Sequence, residues 1–264
     1  MTQACFELFA GLSRSRESGA ARRATASSPR EPGTSPLLFL CDHAGNALPP
    51  GYGALGLAPA LFQTHIAYDI GAAEVTRALA EGFGAPAVLG VFSRLLIDLN
   101  RGPDDPTLVM KLSDGNIIPG NRSVDAAELA RRIARFHAPY HQTIAAQIAR
   151  LDKPPLISLH SFTPSWKGAP RPWEVGVLWD QDRRLAGPLM ARLAEAGFMV
   201  GDNEPYSGAL EGDTLNRHGT KCGLPHVLIE IRQDLIGDAN AAKAFAARLL
   251  PIIKSALADM GGPD

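Results

Sequence analysis

Leu37-Leu38-Phe39-Leu40-Cys41, followed at once by Asp42-His43, is an unbroken apolar run that stops on two polar, chemically capable side chains. Five apolar residues in a row are too few for a typical helix and suit a strand buried on both faces, as in a parallel sheet covered by helices. The same pattern recurs outward along the chain. Residues 156–159 run into His160-Ser161, and Val227-Leu228-Ile229-Glu230-Ile231-Arg232 carries an acid inside an apolar run. Residues 87–92, 95–99, 175–179 and 198–201 read as further strands. Between them lie stretches of helical pattern at 60–83, 125–151, 182–196 and 239–258, with Pro139 expected to kink the second and Gly197 to stop the third. Strands alternating with helices predict a single α/β domain on a twisted, mixed, mostly parallel sheet flanked by helices. The polar segment 102–121 reads as a long functional loop.

The 264 residues hold 26 Lys+Arg against 27 Asp+Glu, a net charge of −1. Near-neutrality removes the attraction on which nucleic-acid and anionic-lipid binding depends, so the expected partner is a small molecule, with no nucleic acid and no membrane. No apolar run approaches the ~20 residues that span a bilayer. Cys5, Cys41 and Cys222 are odd in number and widely spaced, which fits neither a disulfide framework nor a four-thiolate zinc site and predicts a reducing cytoplasm. Residues 1–36 are expected to form a flexible N-terminal extension, because 12–36 is rich in Ser, Arg, Ala, Pro and Gly and nearly free of large apolar side chains. Its arginines suit a transit peptide, but Glu17 and Glu31 count against one. No linker follows, so 37–264 is expected to be one domain.

In open α/β sheets, ligands bind at the carboxyl ends of strands, so the polar residues after each apolar run are the candidates. His43 and His160 suit a zinc site, because neutral imidazole is a good ligand and strand ends hold it rigidly. Catalytic zinc takes three protein ligands. Asp69 offers a carboxylate from the next element, with His65 one helical turn earlier in reserve; Asn46, three residues after His43, is a poor amide ligand. Asp69 is nearly as well suited to orienting a ligand histidine. Glu230 shares a strand face with Arg232, either as half of an ion pair or, beside a metal, as the base that takes a proton from water and passes it to a leaving amine. Asn100-Arg101, with Arg94 flanking the same apolar run, suit an acidic substrate, since a guanidinium grips a carboxylate bidentately and an amide adds a hydrogen bond. Gly51-Tyr52-Gly53-Ala54-Leu55-Gly56 matches a dinucleotide fingerprint in letters only, because nine residues separate it from its strand. His137 and His141 lack the Glu of H-E-x-x-H and have Pro139 between them, which predicts a plain helix-face pair.

Seven segments, in their order and spacing, resemble the N-formylglutamate amidohydrolase family over about residues 37–258: Asp42-His43-Ala44-Gly45-Asn46-Ala47-Leu48-Pro49, His65-Ile66-Ala67-Tyr68-Asp69-Ile70-Gly71-Ala72, Ser93-Arg94-Leu95-Leu96-Ile97-Asp98-Leu99-Asn100-Arg101, Ser158-Leu159-His160-Ser161-Phe162, Asn203-Glu204-Pro205-Tyr206-Ser207-Gly208, His218-Gly219 and Ile229-Glu230-Ile231-Arg232. Asp98-Leu99-Asn100-Arg101 is also similar to the wider zinc carboxypeptidase and aspartoacylase group. The resemblance implies an eight-stranded mixed sheet, one zinc ion, and hydrolysis of the amide of an N-acylated acidic amino acid, N-formyl-L-glutamate being the specific expectation. It maps His43 and His160 to metal ligands, Glu230 to the general base, Asn100 and Arg101 to the carboxylate clamp, and Arg94 to polarisation of the scissile carbonyl. The wider group usually carries Glu where this chain has Asn46, which leaves the third ligand open between Asp69, His65 and Asn46. An aminoacylase or peptidase of the same architecture, and a carboxylate-binding protein without metal, are the alternative readings.

Overall fold

Alternation along the apolar runs decides which residues face which helix layer. The computed structural model describes residues 6–10 and 37–260. In chain order its strands are β1 (Phe6–Phe9), β2 (Leu38–Cys41), β3 (Ala87–Gly90), β4 (Leu112–Ser113), β5 (Asn116–Ile117), β6 (Leu156–Phe162), β7 (Ser165–Trp166), β8 (Ala169–Pro170), β9 (Val175–Leu178), β10 (Val200–Asp202) and β11 (His226–Arg232). The α-helices are α1 (Ala72–Phe83), α2 (Ala126–Arg132), α3 (Ala138–Arg150), α4 (Ala186–Glu195), α5 (Thr214–His218) and α6 (Ala239–Asp259). β4 with β5 and β7 with β8 form small hairpins, and the other seven strands make one sheet in the order β1-β3-β2-β6-β11-β9-β10. β3, β2, β6 and β11 run parallel; β1 and the β9–β10 pair run against them, so the sheet is mixed and mostly parallel.

Phe39, Cys41, Ile157, Leu159, Val227 and Ile229 pack on one face against α1, α4 and α6. Leu38, Leu40, Leu156 and Leu228 pack on the other against Tyr140 and Ile144 of α3. Continuing the two-residue period, Asp42, Ser158, His160 and Glu230 fall on this second face. Among the described residues, no helix is long and apolar enough to cross a membrane.

Several expectations are corrected. The sheet has seven strands among the described residues rather than eight. Phe6–Phe9, inside the expected flexible extension, forms the antiparallel edge strand on β3, tied by a Glu7–Arg77 ion pair of 2.8 Å; residues 1–5 and 11–36 lie outside the described residues. Residues 95–99 form turns, not a strand. Their buried backbone is satisfied by side chains in place of a ladder: Asn121 Nδ2 donates to Leu95 O at 2.8 Å and Arg132 Nη1 to Leu96 O at 2.8 Å. The predicted helix over 60–83 begins only at Ala72, after a 3-10 turn at Pro59–Gln63. Gly71 explains the break, since its φ is +79° and a Cβ there would lie 2.1 Å from Ile236 O. Pro139 does split the 125–151 helix, behind a π-helical turn at Ile133–His137.

Candidate active site

Three neighbouring parallel strands end side by side. The register pairs Leu40 with Ser158 and Glu230 with His160, so the exits of β2, β6 and β11 bring His43, His160 and Glu230 to one place. The irregular segment before α1 adds Asp69, held by its N–H to His43 O at 3.0 Å and by Ser161 N–H to its Oδ2 at 3.3 Å. Asp69 Oδ2 lies 3.4 Å from His43 Nδ1 and 2.8 Å from His160 Nδ1. One ligand atom from each of His43, Asp69 and His160 falls within 4.8 Å of the others, and all three residues are buried.

The outer nitrogens are also occupied. His43 Nε2 is 2.7 Å from Asp98 Oδ1 and His160 Nε2 is 3.0 Å from Asp42 Oδ2. A carboxylate only accepts, so each Nε2 carries a proton; without a metal a proton on Nδ1 donates to Asp69, and a cation in that proton's place leaves each Nδ1 lone pair free to ligate it. The two Nδ1 atoms and the Asp69 oxygen therefore need positive charge among them, a proton or a cation. The surrounding charges agree: the carboxylates of Asp42, Asp69 and Asp98 face one guanidinium, Arg94, a surplus of two negative charges when the imidazoles are neutral. Burial opposes charge on His160, but Asp42 and Asp69 outweigh it and hold its pKa well above the ordinary value. Burial likewise disfavours ionised Asp98, yet Arg94 and His43 hold it well below the usual carboxylate range. The donor set and its charge fit a divalent metal ion.

Glu230 is 6% exposed, and its Oε2 is buried without a hydrogen-bond partner. It lines a cavity of about 340 Å³ together with His43, Asp69, His160, Arg94, Asn100 and Arg101. Burial raises its pKa to about 7, with Asp69 adding to the shift and His160, His43 and Arg94 opposing it. The ion pair with Arg232 does not form: Arg232 pairs with Asp234 at 2.8 Å and donates to the carbonyls of Arg171, Pro172 and Trp173.

Arg94 donates to Asp98 Oδ2 at 2.9 Å and reaches Asp69 Oδ1 at 3.5 Å, so it braces the carboxylates of the cluster from the cavity wall. Asn100 Oδ1 accepts from Thr214 N–H at 3.0 Å. Arg101 donates to Thr107 Oγ1 and Asn100 O, both neutral. The reserve ligands stay outside the cluster: His65 pairs with Asp114 at 3.2 Å, and Asn46 Nδ2 donates to Phe62 O at 2.7 Å. Asp69 therefore joins the cluster without the helical neighbour expected for it. The residue-level reading missed the orienting roles of Asp42 and Asp98. It also missed Thr214, whose Oγ1 donates to Asp42 Oδ1 at 2.6 Å. Asp42 adjoins one cluster histidine in sequence yet serves the other, a pairing that only strand register reveals.

Residues 35–237 match the family model for N-formylglutamate amidohydrolase. The N-formylglutamate deformylase of Pseudomonas aeruginosa is 33% identical over 135 residues, 45% of this chain and 47% of that protein, so the match spans about half the relative's length. A solved gene product of Agrobacterium tumefaciens is 36% identical and superposes with a TM-score of 0.83 over 86% of this chain and 92% of its own. The N-formylglutamate amidohydrolase of Ralstonia eutropha, 22% identical, shares the fold at a TM-score of 0.62 over 87% of this chain and 97% of its own. The matched span takes in His43, Asp69, His160 and Glu230, and the chain belongs to the N-formylglutamate amidohydrolase family.

Proposed function

We propose that this protein is a zinc-dependent hydrolase of the amide in N-acylated acidic amino acids, and that N-formyl-L-glutamate, cleaved to formate and glutamate, is its substrate. The observation that carries the reading is the convergence of His43, Asp69 and His160 beside a buried, unpaired Glu230. The names of the P. aeruginosa and R. eutropha relatives support the substrate. His43, Asp69 and His160 would hold one zinc ion, which when bound supplies Lewis acidity toward an acyl oxygen and toward water. Asp98 and Asp42 keep both histidines in the ligating tautomer. Glu230 takes a proton from the attacking water and delivers it to the amine as the C–N bond breaks. Arg94 adds positive charge where the oxyanion develops, and Asn100 with Arg101 holds a substrate carboxylate. The free thiols of Cys41 and Cys222 support a reducing, cytoplasmic setting.

A panel of N-formyl, N-acetyl and N-succinyl derivatives of glutamate and glutamine tests the reading through amine release. N-formyl-L-glutamate is expected to give the highest kcat/KM. Its carboxamide analogue should fall at least about tenfold, the worth of one charge-assisted hydrogen bond. Equal rates for the acid and its amide would contradict the assignment of the substrate class.

A further inference from the structure

Four buried histidines stand outside the metal cluster; His226 lines the cavity, and the other three, His137, His141 and His218, do not. His137 closes the π-helical turn, His141 follows on α3 and His218 ends α5. His137 Nε2 is 2.9 Å from Arg101 O, His141 Nε2 is 3.1 Å from Leu99 O, and His141 Nδ1 is 3.0 Å from His218 Nε2. Carbonyls only accept, so the first two Nε2 atoms carry protons. Their mutual approach of 3.2 Å is then a pair of parallel donors rather than a hydrogen bond. With His141 neutral, its Nδ1 accepts and His218 Nε2 donates, which fixes one tautomer for each ring. Burial, joined by Arg217 and the neighbouring imidazoles against Asp42, pushes His141 down to about 2 and His218 to about 4. His137 is lowered as well, chiefly by burial, with the Arg101 carbonyl, Asp98 and Asp42 opposing.

The two carbonyls bracket Asn100, whose side chain is gripped from α5 by Thr214 N–H. Residues 95–101 have no strand ladder, so the His137 ring meets the Arg101 carbonyl, and the His141 ring meets the Leu99 carbonyl, which Thr214 Oγ1 also reaches at 3.3 Å. We propose that His137, His141 and His218 are positioning residues which, as neutral rings in these tautomers, fix the Leu99–Arg101 backbone and thereby set the affinity of Asn100 and Arg101 for the substrate carboxylate. The inference rests on the clamp assigned under the proposed function.

His141→Phe keeps ring volume and removes both hydrogen bonds, whereas His141→Gln returns a donor toward Leu99 O. In the zinc-loaded enzyme, His141→Phe is expected to raise the KM for N-formyl-L-glutamate about tenfold with kcat within about threefold, because a displaced binding group weakens ground and transition states alike. His141→Gln is expected to recover most of the affinity. Nitrogen NMR of histidine-labelled wild type at pH 6 should show a neutral His141 protonated at Nε2 alone. A wild-type KM in folded His141→Phe, or an imidazolium or the opposite tautomer in the spectrum, overturns the proposal. If His141→Phe does not fold, the spectrum and the KM of His218→Gln decide. A wild type that fails to distinguish the acid from its carboxamide overturns the clamp and this inference together. A wild type that does distinguish them, beside a variant of unchanged KM, overturns this inference alone.

Discussion

Among the described residues Glu230 forms no ion pair and its Oε2 no hydrogen bond, and burial raises its pKa to about 7 against the nearby charges of His160, His43 and Arg94. A general base works only when ionised, so kcat/KM should climb as pH rises through this titration and fall below it. A cation in the cluster favours the carboxylate, so metal loading moves that acid limb to lower pH, never higher. Glu230→Gln keeps shape and removes the base. It should lower kcat by about 10²–10⁴-fold while zinc content and melting temperature hold. Near-normal kcat with a lowered melting temperature would assign Glu230 a structural role instead. At this scale much of the site was legible. His43 and His160 stand out as polar residues placed at the ends of apolar runs, and Glu230 as an acid set inside one. Of the two readings of Glu230, the ion pair with Arg232 does not form, because alternation reports a face and not a partner, and Arg232, at the end of β11, reaches Asp234 and three carbonyls.

Strand and helix assignments succeed where the side-chain period is long enough to register, as in β6 and β11, whose odd and even residues sort cleanly onto two faces. The run at 95–99 has the composition of a buried strand. Its carbonyls are instead met by Asn121 and Arg132, long-range partners that local sequence does not announce. The segment before α1 is the more consequential case, because its failure to be helical is what delivers Asp69 to the histidines. Gly71 enforces that failure. Gly71→Ala places a Cβ 2.1 Å from Ile236 O at a φ of +79°, so the backbone must shift. The expected cost is about 2 kcal/mol or more in a denaturant titration, with weaker metal affinity because Asp69 lies two residues away. An unchanged midpoint together with an unchanged metal Kd would show that this segment does not set the Asp69 position.

Across the whole molecule, the carboxylates of Asp42, Asp69, Asp98 and Glu230, the imidazoles of His43 and His160 and the guanidinium of Arg94 meet where the parallel strands β2, β6 and β11 end, with Arg101 also on the cavity wall. The fold class was readable from alternating strands and helices. The charge surplus was not, because Asp42, Asp69 and Asp98 come from separate segments and meet only in three dimensions. Leaving buried carboxylates uncompensated is costly, so the arrangement makes sense as the complement of a divalent ion. The most direct measurement is zinc per chain by elemental mass spectrometry after dialysis against a mild chelator, on wild type, His43→Ala, Asp69→Asn, His160→Ala and His65→Ala. One zinc per chain is predicted for wild type and His65→Ala, with loss of zinc in the other three. A wild type without stoichiometric zinc, or full occupancy retained in the His43, Asp69 or His160 variants, would contradict the account.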